Sequence, residues 1–181
     1  MMIKHKYFGD VIQDEWDESY STMVVNIPHF KDSFKIKLVE YDEDFEPIQQ
    51  PLNEKILDSY AETVKEFIKN VDNIVEDIQK SAFEFYLKVY AKYYEKPFKV
   101  LWENQKIKTS QNHELHKPLQ IDTKEKHFEY KNSVLEKIII SNNKTIVNPY
   151  HYDIDEEHGI EIKIRNNKVI KVDGIGETTY E

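Results

Sequence analysis

Cysteine is absent from this 181-residue chain, glycine occurs four times, and arginine occurs once, as Arg165. The missing thiols exclude disulfides, cysteine zinc sites, iron–sulfur clusters and thiol catalysis, and the composition suits a reducing compartment. The glycines are Gly9, Gly159, Gly174 and Gly176. A phosphate-cradling loop needs closely spaced glycines ahead of a helix, and no helical pattern follows the one close pair. No stretch approaches the ~20 apolar residues that cross a bilayer. Residues 1–8 hold no long apolar run, so no signal peptide is expected. These absences point to a cytoplasmic protein without membrane association.

Aromatic residues are plentiful: nine Phe, twelve Tyr and two Trp. They supply the apolar area for a core, and a chain so rich in them does not read as disordered even with 33% charged residues. The length fits one domain spanning 1–181. Lys plus Arg number 25 against 34 Asp plus Glu, and 25 − 34 = −9. The basic residues are interleaved with acids along the chain, whereas a phosphate-binding face needs them massed. No nucleic-acid partner is expected.

The pattern along the chain is β, then helical, then β. Residues 2–13 read as a short strand with a turn at Gly9 and Asp10, and 20–30 as a second strand. Phe34, Ile36 and Leu38 alternate with Lys35 and Lys37, the period of a half-buried strand. Asn53 is a good N-cap for a helical region over 53–95, with a break possible at 70–73. From 82 to 94 that region is apolar nearly all round, which predicts burial on more than one side, across a sheet. Pro97 ends it. Residues 104–120 read as a polar loop, and 121–131 carry no clear pattern. In the C-terminal third, 135–141, 144–152, 160–165 and 168–172 read as a β-meander. Asn142-Asn143 and Asn166-Asn167 make its tight turns, because Asn tolerates positive φ. The fold class is therefore α+β: antiparallel N-terminal strands, central long helices and a C-terminal antiparallel meander.

Few residue groups could carry chemistry. His113-Glu114-Leu115-His116 misses the zinc-protease spacing, which needs the histidines four apart. His151, Asp153, Asp155 and His158, with Glu156 and Glu157 beside them, are the densest set of candidate metal ligands, although acids also belong in a hairpin turn. With 34 acids, some carboxylate pair is inevitable and carries no glycosidase signal. No nucleophile elbow supports serine chemistry. Three clusters combine acids with aromatics: Asp14, Glu15 and Trp16 within 14–18, Phe45 within 42–46, and Tyr150 and Tyr152 within 150–157. Each reads either as a solvated loop with its ring tucked inward or as a surface that anchors and steers a basic protein. The tyrosine-rich stretch 83–94 reads as core.

The C-terminal run Tyr152 to Ile162, with its Asp155-Glu156-Glu157-His158-Gly159 hairpin, followed by Asn166-Asn167-Lys168-Val169 and Val172-Asp173-Gly174, resembles a family of uncharacterised bacterial proteins, a domain of unknown function. The opening His5 to Asp10, the Trp16 segment, the strand 34–38 and the paired Tyr93-Tyr94 fit the same pattern. Tyr152 and Ile154 stand where that family usually has a Trp. Some such proteins look like immunity proteins that neutralise toxins. The resemblance implies a non-enzymatic interaction domain binding a basic partner, an immunity-type protein against a basic toxin being its specific form. Asp14, Glu15, Trp16, Asp153, Asp155, Glu156 and Glu157 are its candidate contacts, and no cofactor is expected. The alternative is a small-molecule or divalent-metal-binding domain, hydrolytic in one version, using His151, Asp153, Asp155 and His158.

Overall fold

The computed structural model describes residues 2–13, 19–23, 25–30, 35–48, 51–94, 99–102, 105–108, 119–133, 135–149 and 159–174. The N-terminal strands are β1 (Met2–His5), β2 (Gly9–Gln13), β3 (Ser19–Ser21) and β4 (Lys35–Leu38), followed by the short pair β5 (Glu40–Tyr41) and β6 (Pro47–Ile48). Helix α1 (Glu54–Val89) and the one-turn α2 (Ala91–Tyr94) come next. A hairpin, β7 (Lys99–Trp102) and β8 (Gln105–Lys108), precedes α3 (Lys124–Ser133). The chain then forms β9 (Leu135–Ser141), β10 (Lys144–Pro149), β11 (Glu161–Arg165) and β12 (Lys168–Asp173). The fold is α+β.

Eight strands form one sheet in the order β1-β2-β3-β4-β9-β10-β11-β12. Every pairing is antiparallel except β4 with β9, which is parallel. That single parallel seam joins the N-terminal block of strands to the C-terminal meander. A parallel connection needs a long crossover, and residues 39–134 with α1 supply it. The register aligns Ile36, Ile138, Val147, Ile162 and Val172 across five strands. Leu38, Ile140, Thr145, Ile164 and Val169 form the adjacent row. Alternation puts both rows on one face, and most of these side chains are buried in the core shared with α1.

Helix α1 begins where Asn53, with extended backbone, accepts the Ile56 amide on Oδ1 at 3.1 Å. Its buried residues Leu57, Tyr60, Val64, Phe67, Val71, Ile74 and Ile78 recur every three or four positions, the spacing that lines one helix face. No break occurs at 70–73. Asn70 folds its side-chain amide back onto the Glu66 carbonyl at 2.7 Å and leaves the helix continuous. The second half is buried on two sides, against the sheet and against α3, which explains its apolar character all round. Tyr86 and Phe83 lie 5.0 and 6.0 Å from the His127 ring.

Several expectations from the sequence are corrected. The first strand is two, because the turn falls at residues 6–8 and Gly9, at φ +69, opens β2. The strand expected over 20–30 is confined to Ser19–Ser21. Val25 and Ile27 are buried but unpaired in any ladder, because Phe30 N donates to Ile27 O in a turn with His29 at φ 70. The helical region over 53–95 forms as α1 and the one-turn α2, with the interruption at Tyr90 and not at 70–73. Part of the polar segment 104–120 is β8, paired with β7, and part of 121–131 is helix α3. The C-terminal meander and both Asn-Asn turns form as expected.

Candidate functional site

The proposed contact residues Asp14, Glu15, Trp16, Asp153, Asp155, Glu156 and Glu157 lie outside the described residues, as do His151 and His158, and His113 to His116. Among the described residues no group of three His, Asp or Glu side chains could hold a metal ion, and no helix is long and apolar enough to cross a membrane. The 42–46 cluster is described, and it is structural. Asp42 Oδ1 accepts the amides of Asp44 and Glu46, each at 2.9 Å, and closes a tight turn. That turn drops the Phe45 ring onto Ile139 and Ile146. The tyrosine-rich stretch is core: Phe83, Tyr86, Tyr90 and Tyr94 are all buried, and Tyr90 Oη donates to Gly159 O at 2.8 Å.

Concave, polar space lies elsewhere. A cleft of about 400 Å³ opens between the first third of α1 and the two Asn-Asn turns of the meander, a size in the range of small binding sites. Ser59, Glu62, Thr63 and Glu66 form the helical wall, and Asn142, Asn143, Asn166 and Asn167 form the opposite one. Thr145 and Ile164, both almost fully buried, make the floor. None of these residues carries a positive charge, and two carry a negative one.

Local sequence explains this wall arrangement. Asn166 and Asn167 both have positive φ, 49° and 58°, the backbone of the tight turn that matches strand twist. Asn143, at φ 56, turns the neighbouring hairpin. The turns are tied together by Asn166 N donating to Asn143 O at 3.2 Å. They are tied to the helix by Asn143 N donating to Thr63 Oγ1 at 2.9 Å, while Thr63 Oγ1 donates to Ser59 O. Glu62 and Glu66 are one turn apart on a shared helix face. Each is exposed and paired at the rim, Glu62 with Lys65 at 2.6 Å and Glu66 with Lys69 at 3.7 Å. Exposed pairs of this kind contribute little.

On the opposite face of the sheet basic residues stand among acids, Lys163 pairing with Glu161 at 3.5 Å and Lys171 with Asp173 at 2.7 Å. Strand register aligns Lys37, Ile139, Ile146, Lys163 and Lys171 in one row. Lys144 and Arg165 are paired in the next. The polar half of each alternating strand thus gathers cations that are separated in sequence. The β5–β6 turn partners several of them. Lys144 Nζ donates to Tyr41 O at 3.1 Å, Arg165 pairs with the Glu43 carboxylate at 3.2 Å and donates to its carbonyl, and the Arg165 and Lys163 cations lie 5.2 and 5.7 Å from the Phe45 ring.

Two histidines are embedded in the fold. His5 accepts the Tyr7 and Phe8 amides on Nδ1, which leaves Nε2–H to donate to Asp58 at 3.3 Å. Hydrogen bonds from Lys6 and then His5 hold the Asp58 carboxyl below its usual range. Burial, and next to it the Lys131 charge, push the His127 imidazole well below its ordinary pKa. Tyr60 is pushed up by burial and by donating to Glu40 at 2.6 Å.

The chain matches no family model, no curated protein and no solved structure. In the sequence the two Asn-Asn pairs signal turn chemistry alone. The signal for the cleft was their repetition at 142–143 and 166–167 with Glu62 and Glu66 one turn apart, but only the tertiary contact through Thr63 brings these together.

Proposed function

We propose that this protein is a non-enzymatic, cytoplasmic interaction domain that binds a basic protein partner, with an immunity-type protein neutralising a basic toxin as its specific form. The observation that carries the reading is the cleft: a concave site whose wall holds Glu62 and Glu66 and whose lining has no cation. The net charge of −9 acts in the same direction, because a negative field speeds encounter with a positive partner and selects against negative ones. The resemblance to bacterial domains of unknown function agrees with such a role.

Co-expression with the product of the adjacent gene tests this. The expected result is rescue from toxicity and co-purification of a complex that weakens as salt rises. Absence of both toxicity and complex formation would refute the immunity form. A complex whose affinity is indifferent to salt would refute the electrostatic basis.

A further inference from the structure

We propose that His5 is a pH-operated latch on the first hairpin: in its neutral form it fastens the turn between β1 and β2, and one proton on Nδ1 unfastens it. The ring closes β1 from inside the fold, with a side chain that is 0% exposed. Its Nδ1 accepts the Tyr7 amide at 3.4 Å and the Phe8 amide at 3.3 Å. Backbone amides only donate, so in this turn Nδ1 is bare and the ring proton sits on Nε2, aimed at Asp58. Protonation makes Nδ1 a donor. It then points at two N–H groups that it accepted before, and the Phe8 bond is buried. A buried amide without an acceptor is costly, so the imidazolium does not fit the closed turn.

The charges beside the turn pull the other way. Asp58 accepts from Nε2 at 3.3 Å and pairs with Lys6 at 2.9 Å. Glu54, Asp58 and Glu62 recur at one-turn spacing on α1 and all act on Lys6, so a row of carboxylates lies on the side of the helix next to the turn. Hydrogen bonds from Lys6 and then His5 hold the Asp58 carboxyl below its usual range, which keeps it anionic while an imidazole titrates. Lys65 stands over the Tyr7 ring at 5.4 Å. From β2 the residue opposite His5 is Gly9, and Asp10 stands opposite Lys4. The carboxylates therefore favour a proton that the two amides reject. Such a ring has two positions: seated and neutral, or turned out beside Asp58 and charged. Asp58 is 46% exposed, so the second position lies towards water. The change is local, because β1 is the end strand of the sheet and pairs with β2 alone among the described residues.

The test is an NMR titration of the full chain, isotopically labelled, from about pH 8 to about pH 5, the range in which imidazoles change charge. The His5 ring nitrogens are followed together with amide exchange at Tyr7 and Phe8, and Val64 in α1 is the reference. As Nδ1 takes its proton, protection of the Tyr7 and Phe8 amides should fall at least about tenfold relative to that of Val64. His5→Asn keeps a short acceptor for these amides and has no proton to gain, so its turn should stay closed across the range. Asp58→Asn keeps an acceptor for Nε2–H and removes the charge, so the opening should move to lower pH. His127→Gln should leave the opening unchanged, which separates it from a general loss of stability. A protonated ring with Tyr7 and Phe8 still protected, an equal loss at Val64, or the same opening in His5→Asn would each overturn the proposal. A ring that stays neutral throughout the range would do so as well. The titration of the unaltered chain decides the matter even where a variant fails to fold.

Discussion

His127 makes the stability of this protein fall as the solution is acidified, in a window set by one ring. The imidazole is completely buried on α3, facing Phe83 and Tyr86 of α1, with the nearly buried Lys131 one turn away. Burial and the neighbouring ammonium both disfavour the imidazolium, so the folded-state pKa lies well below the ordinary value. In the unfolded chain the ring titrates at ~6.5. Above that pH the ring is neutral in both states and contributes no pH dependence. Below it the unfolded state binds a proton that the folded state refuses, so stability falls with pH at up to ~1.4 kcal/mol per unit. From pH 7 to pH 5 the loss is at most about 2 kcal/mol, the limit for a ring that stays neutral in the fold throughout. The assay is urea denaturation at several pH values, for the native protein and for His127→Gln. The native protein should lose more stability than the variant across that range, by up to about 2 kcal/mol. The other titrating groups are common to both and cancel to the extent that they act independently. Equal losses in the two proteins would refute the assignment of the ring as buried and neutral.

Three further outcomes are expected. Asn53→Ala removes the α1 cap and should cost about 1 kcal/mol by thermal denaturation, whereas Asn53→Asp should cost little. Ile138→Ala opens a cavity in the central sheet row beneath α1 and should cost about 2–5 kcal/mol in urea, and an effect under 1 kcal/mol would contradict its place in the core. Tyr90→Phe leaves the buried Gly159 carbonyl without its hydroxyl donor and should cost about 1–3 kcal/mol, read as a lowered melting temperature.

Which parts of the fold the chain made legible follows from how local their causes are. Alternation at Ile36 and Leu38 and at Ile162 and Ile164, the Asn53 cap, and the Asn-Asn turns are settled within a few residues, and the structure agrees with each. Helix α3 is not legible in the sequence for a physical reason. Among its described side chains the two buried ones are His127 and Lys131, four apart on one face, while Phe128 and Tyr130 pack only partly against the core, so the helix shows no clear hydrophobic period. The parallel pairing of β4 with β9 joins residues a hundred positions apart and depends on the packing of everything between them. Lys163 and Lys171 are separated along the chain, while strand register makes them neighbours. Val25 and Ile27 show the opposite failure: they have strand-like composition and burial, but the turn at 27–30 removes them from the ladder.

The parallel seam between β4 and β9 also sets an order of events during synthesis. When Ile36 and Leu38 leave the ribosome, the strand that will cover their edge has not been made. At ~5–20 residues per second, the hundred residues to Ile138 take about 5–20 s. Throughout that time β4 carries an open edge with apolar side chains, the kind of surface that recruits other chains. Helix α1, translated in the interval and amphipathic along its first half, is the element available to cover those side chains. The edge itself closes only when β9 arrives, so a slow or truncated translation product should be more prone to association than the finished protein.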